Sequence, residues 1–348
     1  MSTVEYRDDI QLVSSSPDIN WDFFSGKTIV ISGATGMLGT FLIDVLLDRN
    51  TRYSLDCHIV ALGRHEGKIR ARFPYTERDD FSFEVCDVSQ PGLQLSHTAD
   101  IIFHLASATH PHAYSSDPIG TISSNVIGLS NLLDYAHYCD SSAFVFTSSV
   151  EIYGDNKNHL PSFAEDDLGY INCNTLRAGY PEAKRVGEAL CQAYRMQYGL
   201  RPYIIRLPRL FGPTLLPNDS KAMSQFIRHA VRGENIVLKS EGHQYFSYLY
   251  LSDAVSGILY ALTHGESGTA YNLADSSCDI SLRDAASFLA AYAGTHLIFD
   301  IPDAHEQRGY STATHAILNP DRIHTLGWKA HYSAQQALER TVNMLKGL

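Results

Sequence analysis

GATGMLG, residues 33–39, decides how the fold is read. The apolar run Thr28-Ile29-Val30-Ile31-Ser32 leads into it and FLIDVLL follows it. Gly33, Gly36 and Gly39 fall in the spacing G-x-x-G-x-x-G, between a buried strand and an amphipathic helix. The first glycine permits a tight turn, the second lets backbone approach a pyrophosphate, and the third allows close packing of helix on strand. A helix that starts here offers free amides and a positive dipole end. The stretch is read as a cradle for a dinucleotide, with Thr35, Met37 and Leu38 completing it; a merely structural turn is the alternative. Glycine spacing is a weak sign alone, and the strand before and helix after give it weight.

Outward from this turn, apolar runs at 28–32, 58–62, 81–85, 101–105, 143–147 and 203–207 read as strands. Helical patterns lie between them, notably at 40–47, 122–138 and 180–198. Strands alternating with helices predict an α/β fold: a Rossmann-type doubly wound parallel sheet. After about residue 208 the pattern loosens. Pro208, Pro213 and Pro217 punctuate a loop, helices are expected at 221–232 and 252–264, and short strands near 236–239 and 270–273. The expected organisation is an extension over 1–26, a dinucleotide-binding domain over 27–207 and a smaller substrate-binding lobe over 208–348, some of whose late segments return to the sheet. The extension is polar and aperiodic apart from Trp21, Phe23 and Phe24, and packs on the body or on a partner subunit.

Composition excludes several classes. Of 348 residues, 44% are hydrophobic and 19% charged, so the chain can bury a core and is not disordered. A formal charge of -11 argues against a nucleic-acid partner, although local amides and arginines can still hold a diphosphate. Cys57, Cys86, Cys139, Cys173, Cys191 and Cys278 form no C-x-x-C pair, so neither a disulfide framework nor a zinc site is indicated. No secretory signal and no bilayer-length apolar run is visible. The expectation is a soluble, cytoplasmic protein without membrane contact. HPH at 110–112 is the best histidine cluster; His110 beside a substrate is the better reading, and no metal is expected.

Open α/β sheets bind ligands beyond the C-terminal ends of their strands. Candidates recur there. Asp87 and Val88, in CDV, follow the third strand, where a carboxylate can accept from an adenine amine. Leu105, Ala106 and Ser107, in HLASATHP, follow the fourth, and their small size lets the chain pass close to a flat ligand. Thr147 ends the fifth and Pro208 follows the sixth. The second strand ends in ALGRHEGK, with no acidic residue for ribose hydroxyls. Arg64 and Lys68 there suit an extra 2′-phosphate, or simply form a solvated basic loop. The expected cofactor is NAD(P), with the balance toward NADP.

GYPEAKR places Tyr180 and Lys184 four residues apart on one helical face. A phenol has a pKa of about 10 and is a poor base near neutrality. A neighbouring ammonium and an oxidised nicotinamide favour phenolate, which takes a hydroxyl proton while hydride leaves the same carbon. An isolated Tyr–Lys pair is more often a plain helix surface. TSSVEIYG, residues 147–154, changes that: Ser149 can bond the same substrate oxygen, and Glu151 can act as general acid or base, or merely pair with Arg177. No G-x-S-x-G elbow is present, so hydrolase chemistry lacks a motif.

GATGMLG, CDV, HLAS, TSSVEIYG, YPEAK, RLPRLFGP, LYLSDAV and YNLA, in this order, make the chain resemble an extended short-chain dehydrogenase/reductase of the nucleotide-sugar epimerase/dehydratase family, from about Lys27 onward. HLASATHPHAYSSDPI, RAGYPEAKRVGEAL and NDSKAMSQFI are most similar in spacing to UDP-glucuronate decarboxylases. The resemblance implies a nucleotide-diphosphate sugar, UDP-linked, oxidised at C4 to a ketone. Tyr180 and Lys184 run the oxidation, Ser149 orients the oxygen, and Glu151 assists a middle step of decarboxylation, dehydration or reorientation before hydride returns. It also implies a homodimer built on the helices 122–138 and 180–198, and a setting in polysaccharide precursor synthesis. Two departures qualify it. Val150 stands where 4,6-dehydratases carry an acidic residue, which disfavours that reaction; Phe246 stands where decarboxylases carry an arginine, and Arg209, where the family has asparagine, can supply the missing charge. His110, Arg209, Asn218 and Gln244 are the substrate-binding candidates. The expected function is epimerisation or decarboxylation of a UDP-hexose or hexuronate. A reductase, an atypical dehydratase and a non-catalytic dinucleotide sensor are the alternatives; a sensor has no use for a lowered phenol pKa.

Overall fold

The computed structural model describes residues 3–107, 116–216, 219–301 and 313–347. Six strands in the first half, β1 (Thr28–Ser32), β2 (His58–Gly63), β3 (Phe81–Val85), β4 (Ile101–His104), β5 (Ala143–Ser149) and β6 (Pro202–Leu207), lie where apolar runs predict them. With β10 (Ala270–Asn272) they form one seven-stranded sheet in the order β10-β6-β5-β4-β1-β2-β3. Every pairing in it is parallel. The doubly wound sheet is therefore as expected. Alternation within each strand feeds both faces. Ile29, Ile31, Phe103 and Val145 join Phe41 and Leu46 on one side; Val30, Ile102, Phe144 and Phe146 join Leu129 and Leu133 on the other.

The helices before and between these strands are α1 (Val4–Ser14), α2 (Met37–Tyr53), α3 (Glu66–Arg72), α4 (Pro118–Tyr138) and α5 (Gly179–Tyr198). α1 corrects the aperiodic reading of the N-terminus. Tyr6, Ile10 and Val13 are buried one turn apart, but polar Asp9 and Ser14 share the inward face and hide the period. Their partners explain the burial. The Tyr6 hydroxyl donates to Asp44 and the Ser14 hydroxyl to Asp48, both at 2.5 Å, while Arg49 donates to the Ser14 carbonyl. α2 outruns its expected 40–47 at both ends. It begins at the glycine turn itself, and its polar tail is carried by an Asp48–Arg52 pair one turn apart.

Beyond β6 come β7 (Arg209–Phe211), α6 (Ala222–Arg232), β8 (Ile236–Leu238), β9 (Tyr245–Tyr250) and α7 (Leu251–His264). After β10 follow β11 (Asp279–Ser281), α8 (Leu282–Ala293), β12 (Leu297–Phe299), β13 (His315–Ala316), α9 (Asp321–Leu326) and α10 (Ala334–Lys346). β9 is flanked by β11 and β13 and also pairs with β7; β8 and β12 form a separate pair. Their core is distinct and aromatic, with Phe211, Phe226, Phe246, Tyr248 and Tyr250. Among the described residues no helix is long and apolar enough to cross a membrane.

Candidate functional site

The site is built outward from the turn after β1. Gly33 has φ +72, and a Cβ there would stand 2.6 Å from the Ala106 nitrogen. Gly39 is as constrained: its Cβ would meet the Gly33 carbonyl at 2.5 Å. Gly36 differs. A Cβ there would touch only the Gly33 carbonyl, at 3.1 Å, so the backbone between the two packed glycines faces open space. Gly36 also caps α2 without a side-chain acceptor, which leaves first-turn amides of Met37 and Leu38 for another partner. Thr35, Met37 and Leu38 edge this opening, with Leu38 buried beneath.

The strand beside β1 carries the next residues. Leu105 nitrogen donates to the Ser32 carbonyl, and Ala106 nitrogen to the Ser32 hydroxyl at 3.4 Å. The Ser32 hydroxyl also shares a hydrogen bond with His104 Nδ1, 2.8 Å away. Fully buried His104 is pushed down to about 3 by burial and by Lys184, so the ring is neutral. Ser107 donates to Asn125 Oδ1 on α4 at 2.9 Å, and Asn125 Nδ2 donates to the Thr121 carbonyl.

Tyr180 and Lys184 project from the first two turns of α5 toward this corner. Both are buried. Lys184 Nζ donates to the Thr147 carbonyl at 2.8 Å and lies 4.9 Å from the Phe146 ring centroid and 5.8 Å from that of Tyr180. Burial lowers its pKa to about 7, against weaker upward pulls from Cys191 and Glu188. The Tyr180 phenol is raised by burial and then by the Glu151 carboxylate, while hydrogen bonds to Ser149 and Ser107 pull it down. The side chains nominated from YPEAK, TSSVEIYG and HLAS thus meet at one place. Burial and the Glu151 carboxylate outweigh the Ser149 and Ser107 hydrogen bonds, so the phenol stands above its ordinary value. Glu151, on a 3-10 turn over Val150–Tyr153, donates its amide to the Ser149 hydroxyl at 3.2 Å, and its carboxylate lies 3.8 Å from Arg177.

The remaining nominated residues scatter around this centre. Asp87 accepts from the Ser89 amide and hydroxyl, and those bonds, with Arg64 nearby, hold its carboxyl below the usual range. Val88 is buried against Gly128, Arg64 is exposed after β2, and Pro208 is buried after β6. Arg209 lies flat on Phe246, its guanidinium carbon 3.6 Å from the ring centroid. Arg209 and Phe246, both singled out in the sequence, therefore touch. Gln244 sits apart, before β9, accepting from the Ser240 hydroxyl. His110 and Asn218 lie outside the described residues. The sequence reading missed Asn125 and His104. Asn125 carried a signal: a polar residue at helical spacing with Leu129 and Leu132 in an apolar stripe.

Residues 29–274 match the NAD dependent epimerase/dehydratase family. Among curated relatives, UDP-glucuronic acid decarboxylase 1 of Xenopus tropicalis is 28% identical over 92% of this chain and 72% of its own. UDP-glucuronic acid decarboxylase 5 of Arabidopsis thaliana is 33% identical over 73% of this chain and 72% of its own. Among solved structures, UDP-glucuronic acid 4-epimerase from Bacillus cereus, in complex with UDP-glucuronic acid and NAD, superposes with a TM-score of 0.76 at 20% identity, covering 92% of this chain and 99% of that one. UDP-glucose 4-epimerase of Thermotoga maritima with UDP-glucose gives 0.77 at 19% identity, over 92% and 99%. The last two share the fold. With the family match spanning well over half its length, the chain belongs to the NAD dependent epimerase/dehydratase family.

Proposed function

We propose that the protein oxidises a UDP-linked hexose or hexuronate at C4, acts on the 4-keto sugar, and returns the hydride, with decarboxylation or epimerisation as the net reaction. One observation carries this reading. The corner that holds Tyr180, through Ser107 and Ser149, is continuous with Ala106, against which Gly33 packs. The dinucleotide turn and the phenol are thus one or two residues apart through space. Gly33, Gly36, Gly39 and the uncapped start of α2 fit a pyrophosphate, and Lys184, with one acceptor for three N–H groups, fits a ribose hydroxyl.

The oxidised nicotinamide, when bound, supplies a hydride acceptor and a positive charge. With that charge and the Lys184 ammonium favouring phenolate, Tyr180 in its deprotonated form would take the C4 hydroxyl proton as that carbon is oxidised, and Ser149 holds the oxygen in reach. With a carboxylate on C5 the resulting β-keto acid loses C6 as CO₂; the C4–C5 pair becomes an enolate, which Tyr180 helps to reprotonate at C5. Glu151, partly exposed and loosely paired with Arg177, is placed to exchange a proton in the middle step. Arg209, held flat by Phe246, presents its guanidinium edge to the substrate carboxylate or diphosphate. Arg64, with no carboxylate at the end of β2, favours the 2′-phosphate of NADP.

Exposed Ile119, Ile122 and Ile127 on α4 and Val186 and Met196 on α5 support a homodimer through these helices. Six unpaired cysteines suit the cytoplasm. Incubation with UDP-glucuronate, UDP-glucose, UDP-N-acetylglucosamine and dTDP-glucose, followed by mass and NMR, tests the reaction. Loss of CO₂ or an altered coupling at constant mass is expected; net reduction or no turnover on any of the four contradicts it. Mass analysis of the dinucleotide released on denaturation distinguishes NADP, the expected result, from NAD.

A further inference from the structure

Behind the candidate site, Arg206 on β6 donates four hydrogen bonds while almost fully buried. Nε and Nη2 take both oxygens of Glu188 at 3.0 and 2.7 Å. Nη1 reaches the Tyr153 hydroxyl at 2.9 Å and the Glu165 carbonyl at 2.5 Å. Glu188 also accepts from Ser148 at 2.6 Å. Each partner adjoins a residue of the proposed mechanism. Glu188 is one turn beyond Lys184 on α5, Ser148 precedes Ser149 on β5, and Tyr153 ends the turn that carries Glu151.

From this convergence we propose that Arg206 and Glu188 are positioning residues that lock α5, β5 and the Glu151 turn into one geometry and set the charge around Lys184. The proposal rests on the 4-keto-sugar reading for its meaning and for its kinetic test, but not for the Lys184 titration. A planar guanidinium gripping a carboxylate at two points fixes both distance and angle, which a point charge does not. Tyr153 extends the lock by donating to Asn272 at 2.6 Å, and the Asn272 amide returns to the Glu165 carboxylate at 2.9 Å. The charge argument is local. Lys184 faces the Phe146 ring and Thr147 carbonyl of β5, neutral His104 of β4, and Tyr180, Cys191 and Glu188 of its own helix; Glu151 lies beyond Tyr180 and Arg206 beyond Glu188. Glu188 is the nearby carboxylate that sustains the ammonium against burial.

The test follows the ¹³Cε resonance of Lys184 through a pH titration of the full-length protein, assigned by its loss in Lys184→Met. In Glu188→Gln, which keeps shape and removes charge, the midpoint falls by about one pH unit. In Arg206→Lys, which keeps charge and loses the two-point grip, the midpoint stays put. Turnover of UDP-glucuronate by Arg206→Lys falls about tenfold in kcat with KM held within about twofold. An unmoved Lys184 midpoint in Glu188→Gln overturns the electrostatic part, and a raised KM at unchanged kcat overturns the positioning part. A shifted midpoint in a protein that turns over no sugar nucleotide supports the electrostatic part and removes the functional reading instead.

Discussion

Two of the regions where this molecule buries charge use it differently. Where α1 meets β9 and α10, Asp9 is wholly buried and saturated: Tyr250 donates at 2.5 Å, Arg340 at 2.6 Å and Tyr332 at 3.1 Å. At the C-terminal edge of the large sheet, Lys184 is as deeply buried, yet it has one carbonyl acceptor and no ion pair among the described residues. His104 beside it leaves Nε2 without a partner among the described residues. The desolvation cost is of the same kind in both places. In the first it is offset inside the protein, so the cluster acts as a rivet between the N-terminal helix and the lobe. In the second it is left standing, which is how a site prepared for a ligand differs from scaffolding.

Stability measurements can break or sharpen this contrast. The largest effect is expected from Asp9→Ala, which strands Arg340 and two phenols; denaturant unfolding should report a loss of about 3–5 kcal/mol. The KM of the surviving enzyme should not move. Lys184→Met should do the reverse, abolishing turnover while raising the thermal midpoint by roughly 1–3 °C. Its pH dependence carries the sign. With the folded pKa lowered to about 7, the unfolded chain holds a proton that the folded one has lost, from there up to about 10.4. Stability should therefore rise with pH across that window, and Lys184→Met should flatten the rise. A Lys184→Met protein that is less stable at every pH would place this lysine with the scaffolding. The smallest effect belongs to an exposed pair. Arg70→Ala, which loses its contact with Glu66 and its place 4.9 Å from the Phe83 ring centroid, should change stability by no more than about 1 kcal/mol.

The same contrast explains what could be read from the chain. β1, β2, β4, β5 and β6 were legible because strands buried on both faces are continuous apolar runs. The glycine turn was legible because each glycine answers a separate steric demand. α1 was not, because its inward face carries Asp9 and Ser14, whose partners lie 241 or more and 34 residues away. β7 and β9 escaped notice as well. β7 has only three residues, and β9 carries its buried aromatics Phe246, Tyr248 and Tyr250 on one face with buried Ser247 and Leu249 between them. The side chains Tyr180, Lys184, Ser149 and Glu151 could be nominated from their motifs. The sequence did not show how deeply the Tyr180 phenol is buried, since that depends on how many atoms surround it. Nor did it show that Arg209 and Phe246, 37 positions apart, lie face to face.

The most direct test is Tyr180→Phe, assayed for bound dinucleotide and for turnover of UDP-glucuronate and UDP-glucose in the same preparation. The predicted result is full dinucleotide content with turnover reduced about 10²–10⁴-fold. Undiminished turnover, or a loss of turnover that merely follows loss of the dinucleotide, would contradict the role given to this phenol.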